Sequence, residues 1–373
     1  MQSKLKEKKW LILVTNNIKP YMYDVPLVLA LPEGFTYRFR YTVRWFNEKD
    51  LKSETEALIV VRDVNTAKLY PIRHATVEKI YPFGFIRYIE FSVRNFVPYS
   101  NDINECQQKI DNFAKKVEET LGDDYNNIPK TDMTPLVFLM NSLEDLGDSE
   151  LTYSKNQENE QWCNILQLLS DMTCYSNLSF LKIESLKSIS GDKYLCKKLK
   201  NKVMGYKVSG GNTYSLNVLQ SVPYDPNTAE EFHIPHKIEL QTEEEVLFRI
   251  KGINHVVGKY DLLHFIFKAG IFVNDIYTYL EIIDHQCVEL PGMLPVHLPL
   301  VVEIGKLRKT LRWLRMAVFI PLLLVFIFAE SVSASLKCDV NVLRNIVILA
   351  LALCVGGFRE ILTKIPQISI RGK

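Results

Sequence analysis

Two uncharged, strongly apolar stretches near the C-terminus constrain this chain more than any other feature: Met316–Ala329 (MAVFIPLLLVFIFA) and Asn345–Phe358 (NIVILALALCVGGF). Each holds 14 residues, short of the roughly 20 that cross a hydrocarbon core. Extending the first to Leu336 admits one charge, Glu330, and extending the second back to Val340 admits one, Arg344. Both then reach spanning length. Neither carries a polar stripe for water, and Pro321 is better tolerated in a membrane helix than in a soluble one. The expectation is a two-helix transmembrane hairpin within 312–373. A buried helical hairpin of a soluble protein is the competing reading.

Glu330 and Arg344 stand seven residues either side of Lys337. In an antiparallel hairpin they share one depth, where they either pair or snorkel separately to the headgroups. Ala352 and Gly356 have the small-xxx-small spacing that permits close helix approach. Lys306, Arg308, Lys309, Arg312 and Arg315 precede the first stretch, and Arg359, Lys364, Arg371 and Lys373 follow the second. The positive-inside rule therefore predicts a multi-pass protein of the cell (inner) membrane with both termini cytoplasmic. The apolar run at the N-terminus, Trp10–Val14, is too short for a signal peptide and reads as a first strand.

The 373 residues leave room for two soluble domains beside the hairpin. The expected fold class is mixed, mainly β (α+β), with two antiparallel β-rich cytosolic domains. The expected division is a β barrel or sandwich with a closing helix over 1–122, a linker with a short helix over 123–160, and a second sandwich over 161–290. A Pro-containing connector over 291–311 then leads to the hairpin. A net charge of +2 gives no global field for nucleic acid or an acidic partner. Seven scattered cysteines without a CxxC suggest neither a disulfide framework nor a zinc site.

In the first region, Tyr37 to Trp45 alternates strictly, with Arg38, Arg40 and Arg44 on one face and aromatic residues on the other. That is a strand signal. Guanidinium groups spaced about 6.5–7 Å along it suit phosphates or an acidic strand, and Arg87 and Arg94 are candidates to extend the patch. A solvated outer face, part-neutralised by Glu90 or Glu48, is the plainer alternative. Further strands are expected at Ala57–Val61, Leu69–Ile72 and Phe85–Val93. A helix capped by Asn101/Asp102 should run to Leu121 and stop at Gly122, its apolar stripe facing the sheet. Pro135–Leu146 reads as another short helix.

Later, Met204–Val208, Ser209–Asn212 and Thr213–Leu219 read as a strand, a tight turn and a strand, a hairpin pattern. Lys197, Lys198, Lys200 and Lys202 suit either an anionic inner leaflet or a solvated loop. Pro291, Pro295 and Pro299 suggest a stiff connector.

Phosphate-binding, nucleophile-elbow and HExxH patterns are missing from the sequence, and His233 and His236 lack companions at ligand spacing. No enzyme, cofactor or metal is expected. The leading expectation is a membrane-anchored, non-enzymatic binding or sensing protein with the lipid bilayer and a protein partner or a second copy as partners. The second is a membrane-disrupting or pore-forming effector of prokaryotic defence or toxin type, held in check by its soluble domains. The third is an anionic-ligand or nucleic-acid binder acting through Arg38, Arg40 and Arg44.

Overall fold

The computed structural model describes residues 9–18, 21–42, 55–122, 135–141, 143, 146–147, 153–172, 174–175, 178–189, 195–198, 204–222, 236–256, 260–272, 274–285, 295–304, 306–336 and 339–351. The described residues form a mixed α+β fold, mainly β, with three sheets. The first sheet has six strands in the order β2-β5-β4-β3-β1-β6. They are β1 (Lys9–Asn16), β2 (Thr36–Thr42), β3 (Glu56–Arg62), β4 (Leu69–Phe83), β5 (Ile86–Phe96) and β6 (Val137–Asn141). The second is four-stranded, β12-β14-β10-β7, built from β7 (Phe180–Ser188), β10 (Thr213–Ser221), β12 (Leu247–Lys251) and β14 (Tyr260–Ala269). The third has the order β13-β11-β15-β16-β9-β8. Its members are β8 (Leu195–Lys198), β9 (Met204–Ser209), β11 (His236–Thr242), β13 (Ile253–Val256), β15 (Ile276–Asp284) and β16 (Val296–Glu303).

Several expectations require correction. The sheets are not purely antiparallel: β1 runs parallel to β3, and β16 runs parallel to β9. The apolar runs Leu11–Val14 and Ala57–Val61 are buried throughout, as strands covered on both faces must be, and parallel pairs occur in such settings. Residues 137–141 form an edge strand rather than a helix, paired antiparallel to β1. The expected hairpin at 204–219 is instead a corner between sheets, because β9 belongs to the third sheet and β10 to the second. There Gly210 N–H donates to Glu303 O and Gly211 N–H to Ala269 O, both at 2.9 Å. A Cβ on Gly210 would stand 2.7 Å from Gly270 O, and Gly211 has φ +90°, so both positions need glycine. Pro299 lies in β16 rather than in a connector, opposite Tyr279 and one residue before the β9 pairing begins.

Helix α1 (Asp24–Ala30) is short and buried nearly all round. Helix α2 (Ile103–Leu121) begins where the sequence predicts. Asp102 accepts from Asn104 N–H, Gly122 ends it, and Cys106, Ile110, Phe113 and Val117 are its buried stripe. Helix α3 (Lys155–Leu169) starts with a capping box between Ser154 and Gln157 and buries Trp162, Ile165, Leu166 and Leu169. The capping box satisfies its first N–H groups. It is pinned to β7 by charge. Lys182 Nζ lies 2.6 Å from Asn159 Oδ1, 3.0 Å from Glu184 Oε1 and 3.3 Å from Glu158 Oε1, and Lys155 also pairs with Glu184.

One hydrophobic cluster runs from Trp10 to Val302 without a break. Tyr175 OH donates to Met22 O at 3.1 Å, and the rings of Phe35 and Tyr206 lie 5.2 Å apart. Helix α1 also packs on β7. The sequence-distant halves thus share apolar contact.

Arg73, on β4, is 1% exposed. Its Nε donates to Arg94 O at 2.7 Å, its Nη1 donates to Leu31 O at 2.8 Å and to Val28 O, and its guanidinium stacks 4.3 Å from the Phe96 ring centroid. Burial pulls its pKa down to about 10, still charged at neutral pH. Val28 and Leu31 lie at the C-terminal end of α1, where carbonyls lack helical partners and a cation is favoured. Replacing Arg73 by Met should destabilise the fold by about 3–5 kcal/mol through stranded carbonyls, and Lys should restore only part, lacking the planar fork. Arg38→Met, at an exposed site, should stay within about 0.5 kcal/mol. Denaturant midpoints of the three variants test this ranking.

Candidate functional site: a basic and aromatic sheet face and the C-terminal helices

The edge strand β2 pairs antiparallel with β5, which pairs with β4. Residues directly opposite point to the same face, so the outer face can be read in rows. Arg38, Glu90 and Lys79 form one row, and Arg40, Tyr88 and Tyr81 the next. Ile86 and Phe83 form the third, where the β4–β5 hairpin turns through Gly84, φ +58°. Arg38 and Arg40 are exposed. Arg38 Cζ sits 4.8 Å from the Tyr88 ring centroid, Lys79 Nζ 4.3 Å from that of Tyr81, and Arg40 Cζ 5.3 Å from that of Tyr21. Tyr81 OH donates to Glu90 Oε2 at 3.1 Å.

The other arginines behave differently. Arg87 lies opposite Tyr41, on the alternate face of β5, and its Nη1 donates to Gly84 O and Ile86 O at 2.9 and 3.2 Å. Arg94 is half-buried, with Nε 3.0 Å from Thr76 Oγ1. Arg44 lies outside the described residues. Lys197 and Lys198 belong to the edge strand β8, while Lys200 and Lys202 are outside the described residues.

Beneath the face, Asp24 at the start of α1 accepts from Tyr37 OH at 2.9 Å. Burial raises its pKa from 3.8 to about 6, against the opposing pull of the Tyr37 hydrogen bond and the Arg40 charge. Among the described residues, the buried Tyr41 hydroxyl meets no hydrogen-bond partner. Nothing in the sequence marked Asp24, because burial of a carboxylate leaves no local pattern. Phe83 and Phe85 are 71% and 89% exposed; in the sequence Phe85 opens an expected strand, and neither residue carries a site signal.

The described part of the C-terminal segment consists of three helices. Helix α4 (Lys306–Ile327), with Pro321 inside it, is followed after Phe328 by α5 (Ala329–Leu336) and then by α6 (Val340–Leu351). Among the described residues no single helix is long and apolar enough to cross a membrane. Met316–Ile327 and Ala329–Ser335 reach that length and composition only together, across an 85° bend. The break falls where the apolar run meets the serine-rich AESVSASL, and Ser333 Oγ donates to Glu330 O at 2.9 Å, a local backbone bond of the kind that loosens helices. Arg344 Nη2 lies 3.5 Å from Glu330 Oε1 across α5 and α6. Ala352 and Gly356 lie outside the described residues.

A groove of about 540 Å³ beside β12 is lined by Glu239, Glu244, Phe248, Arg249 and Ile253, among others. Its charges already engage one another: Arg249 reaches Glu239 and Glu244 at 2.8 Å each, and His285 Nε2 lies 2.8 Å from Glu239. Among the described residues no group of three or more His, Cys, Asp and Glu side chains is placed to hold a metal. No protein family matches the chain, and no curated protein aligns with it at a significant level.

Asp24 gives a pH test. Its folded pKa lies above its unfolded value, so its contribution favours the fold below about pH 4 and is lost as pH rises through 6. Glu184 acts in the opposite sense. Burial alone would raise its pKa, but Lys155 and Lys182 outweigh burial and hold it below the ordinary value, so its contribution is lost as the medium is acidified. Asp24→Asn keeps an acceptor for Tyr37 and removes the buried charge. It should gain roughly 1–3 kcal/mol at pH 7 and nothing at pH 4, read as denaturant midpoints at the two pH values.

Proposed function

We propose that the chain is a membrane-bound, non-enzymatic binding or sensing protein whose β-rich body, on the cytoplasmic side, recognises a partner or ligand and whose C-terminal helices engage the bilayer. The observation that carries this reading is the concentration of exposed apolar side chains on α4, α6 and the residue between α4 and α5. Leu324, Ile327, Phe328, Ile346, Ile348 and Leu349 are each between 49% and 64% exposed. Large apolar side chains exposed in such number along successive helices mark a membrane or interaction surface. The basic run Lys306, Arg308, Lys309, Arg312 and Arg315 supports placing the body where positive flanks are retained.

A second reading, the membrane-disrupting effector, is favoured by the 85° break after α4. Non-helical backbone at membrane depth is tolerated where it is buried in protein or lines a water-filled space. A break of this kind suits either a helix pair resting in the interface or several copies assembled around a pore.

Both readings are tested in cells expressing the full chain beside Leu324→Arg/Ile327→Arg. The full chain should stay in the carbonate-washed membrane pellet, and at least half of the double variant should leave it. Retention without depolarisation of the cells supports the anchor. Depolarisation that the double variant abolishes supports the effector. A full chain recovered in the carbonate supernatant sinks both.

A further inference from the structure

The outer face of the β4–β5 hairpin is graded along its length. At the tip stand Phe83, Phe85 and Ile86, the first two among the most exposed large apolar side chains described. One row back are Tyr81 and Tyr88, and in the two rows behind the tip lie Arg40, then Arg38 and Lys79. Rows two residues apart are about 6.5–7 Å apart, so apolar tip and outermost cations are separated by about 13 Å. Apolar, then amphipathic aromatic, then cationic is the order a surface meets on leaving the acyl region for the phosphates of a bilayer.

We propose that this hairpin is a membrane contact in its own right, seating Phe83 and Phe85 in the acyl–headgroup boundary of an anionic bilayer with Arg38, Arg40 and Lys79 at the lipid phosphates. The reading deepens the proposed function by naming a ligand of the β-rich body. It shares the bilayer with that function but draws on none of the same residues. Charge complementarity selects anionic lipid. Among the row-forming residues, three cations face one carboxylate, Glu90, which is engaged by Tyr81. A nucleic-acid strand fits less well. Arg38 and Lys79 already lie over the Tyr88 and Tyr81 rings, on which bases would need to stack, and the exposed phenylalanines are gathered at the tip, not interleaved with the cations along a backbone track.

Phe85 is exposed enough for Phe85→Trp to leave the fold intact. The test uses the full chain in vesicles of phosphatidylcholine alone or with one-quarter phosphatidylserine, each with and without brominated acyl chains. Emission of the introduced indole is read as the difference between chains with and without Phe85→Trp, both carrying Trp313→Phe. Emission of Trp313 is read as the difference between the unaltered chain and Trp313→Phe. In the anionic vesicles the introduced indole should shift to the blue and be quenched by bromine at least twofold. Arg38→Gln/Arg40→Gln, or removal of phosphatidylserine, should cut that quenching by half or more. An unquenched hairpin indole beside a quenched Trp313 overturns the hairpin contact and leaves the helices standing. A quenched hairpin indole beside an unquenched Trp313 supports the hairpin and removes the helical anchor. A labelled oligothymidine that binds the full chain, loses affinity in Arg38→Gln/Arg40→Gln and is accompanied by an unquenched hairpin indole overturns the lipid assignment in favour of nucleic acid.

Discussion

A single guanidinium, that of Arg73, ties the end of α1 to the paired strands β4 and β5. A cation enclosed by protein is tolerated only where its hydrogen-bonding groups are matched, and here the partners are main-chain carbonyls of α1 and β5 together with an aromatic face. Carbonyls cannot be removed by a side-chain substitution, so the constraint acts on the path of the backbone. It sets where α1 ends. From that, Asp24 at its other end comes to lie beneath Tyr37 and Arg40, and the same helix rests on β7. The edge of the first sheet and the seam between the two halves therefore meet at one short helix.

Charge elsewhere in the interior is handled by different chemistry. Lys182 is enclosed almost as fully as Arg73 but is met by carboxylates and an amide from α3 and β7. Asp24 has a phenol for a partner and a guanidinium nearby. The three sites differ in how they answer to solvent conditions. The Arg73 cation meets fixed dipoles and stays charged across the ordinary range, whereas the Lys182 cluster and Asp24 respond in opposite senses to acid. The body is thus most rigidly specified where its polar partners are backbone.

Local chemistry was legible in the sequence wherever one element carries its own signals. Helix α2 has its cap at Asp102, its stripe from Cys106 to Val117 and its stop at Gly122, all within one stretch. Alternation disclosed β2 for the same reason. What the sequence did not disclose depends on partners far along the chain. The parallel pairing of β1 with β3 is marked only by the unbroken apolar runs Leu11–Val14 and Ala57–Val61, which do not say which strand pairs with which, and two glycines at a sheet corner have the same spelling as a hairpin turn. Prolines concealed β16 because their usual meaning is a break. At the candidate face, Arg38 and Arg40 followed from alternation alone, but Arg87 did not. Its facing is fixed by its register opposite Tyr41, which cannot be read from the residues of β5 by themselves. The apolar tip was hidden because the exposure of a phenylalanine at a strand end leaves no pattern in the sequence.

The strand β16 ends at Glu303, and α4 begins at Lys306. It is flanked on both sides, by β15 and by the parallel β9. A tug on α4 directed along that strand would load its inter-strand bonds together, in shear, rather than unzip them one after another from an edge. Strand pairs loaded in this way yield late and all at once. Force along that strand would pass to its paired neighbours, Tyr206 on β9 and Leu280 on β15 among them.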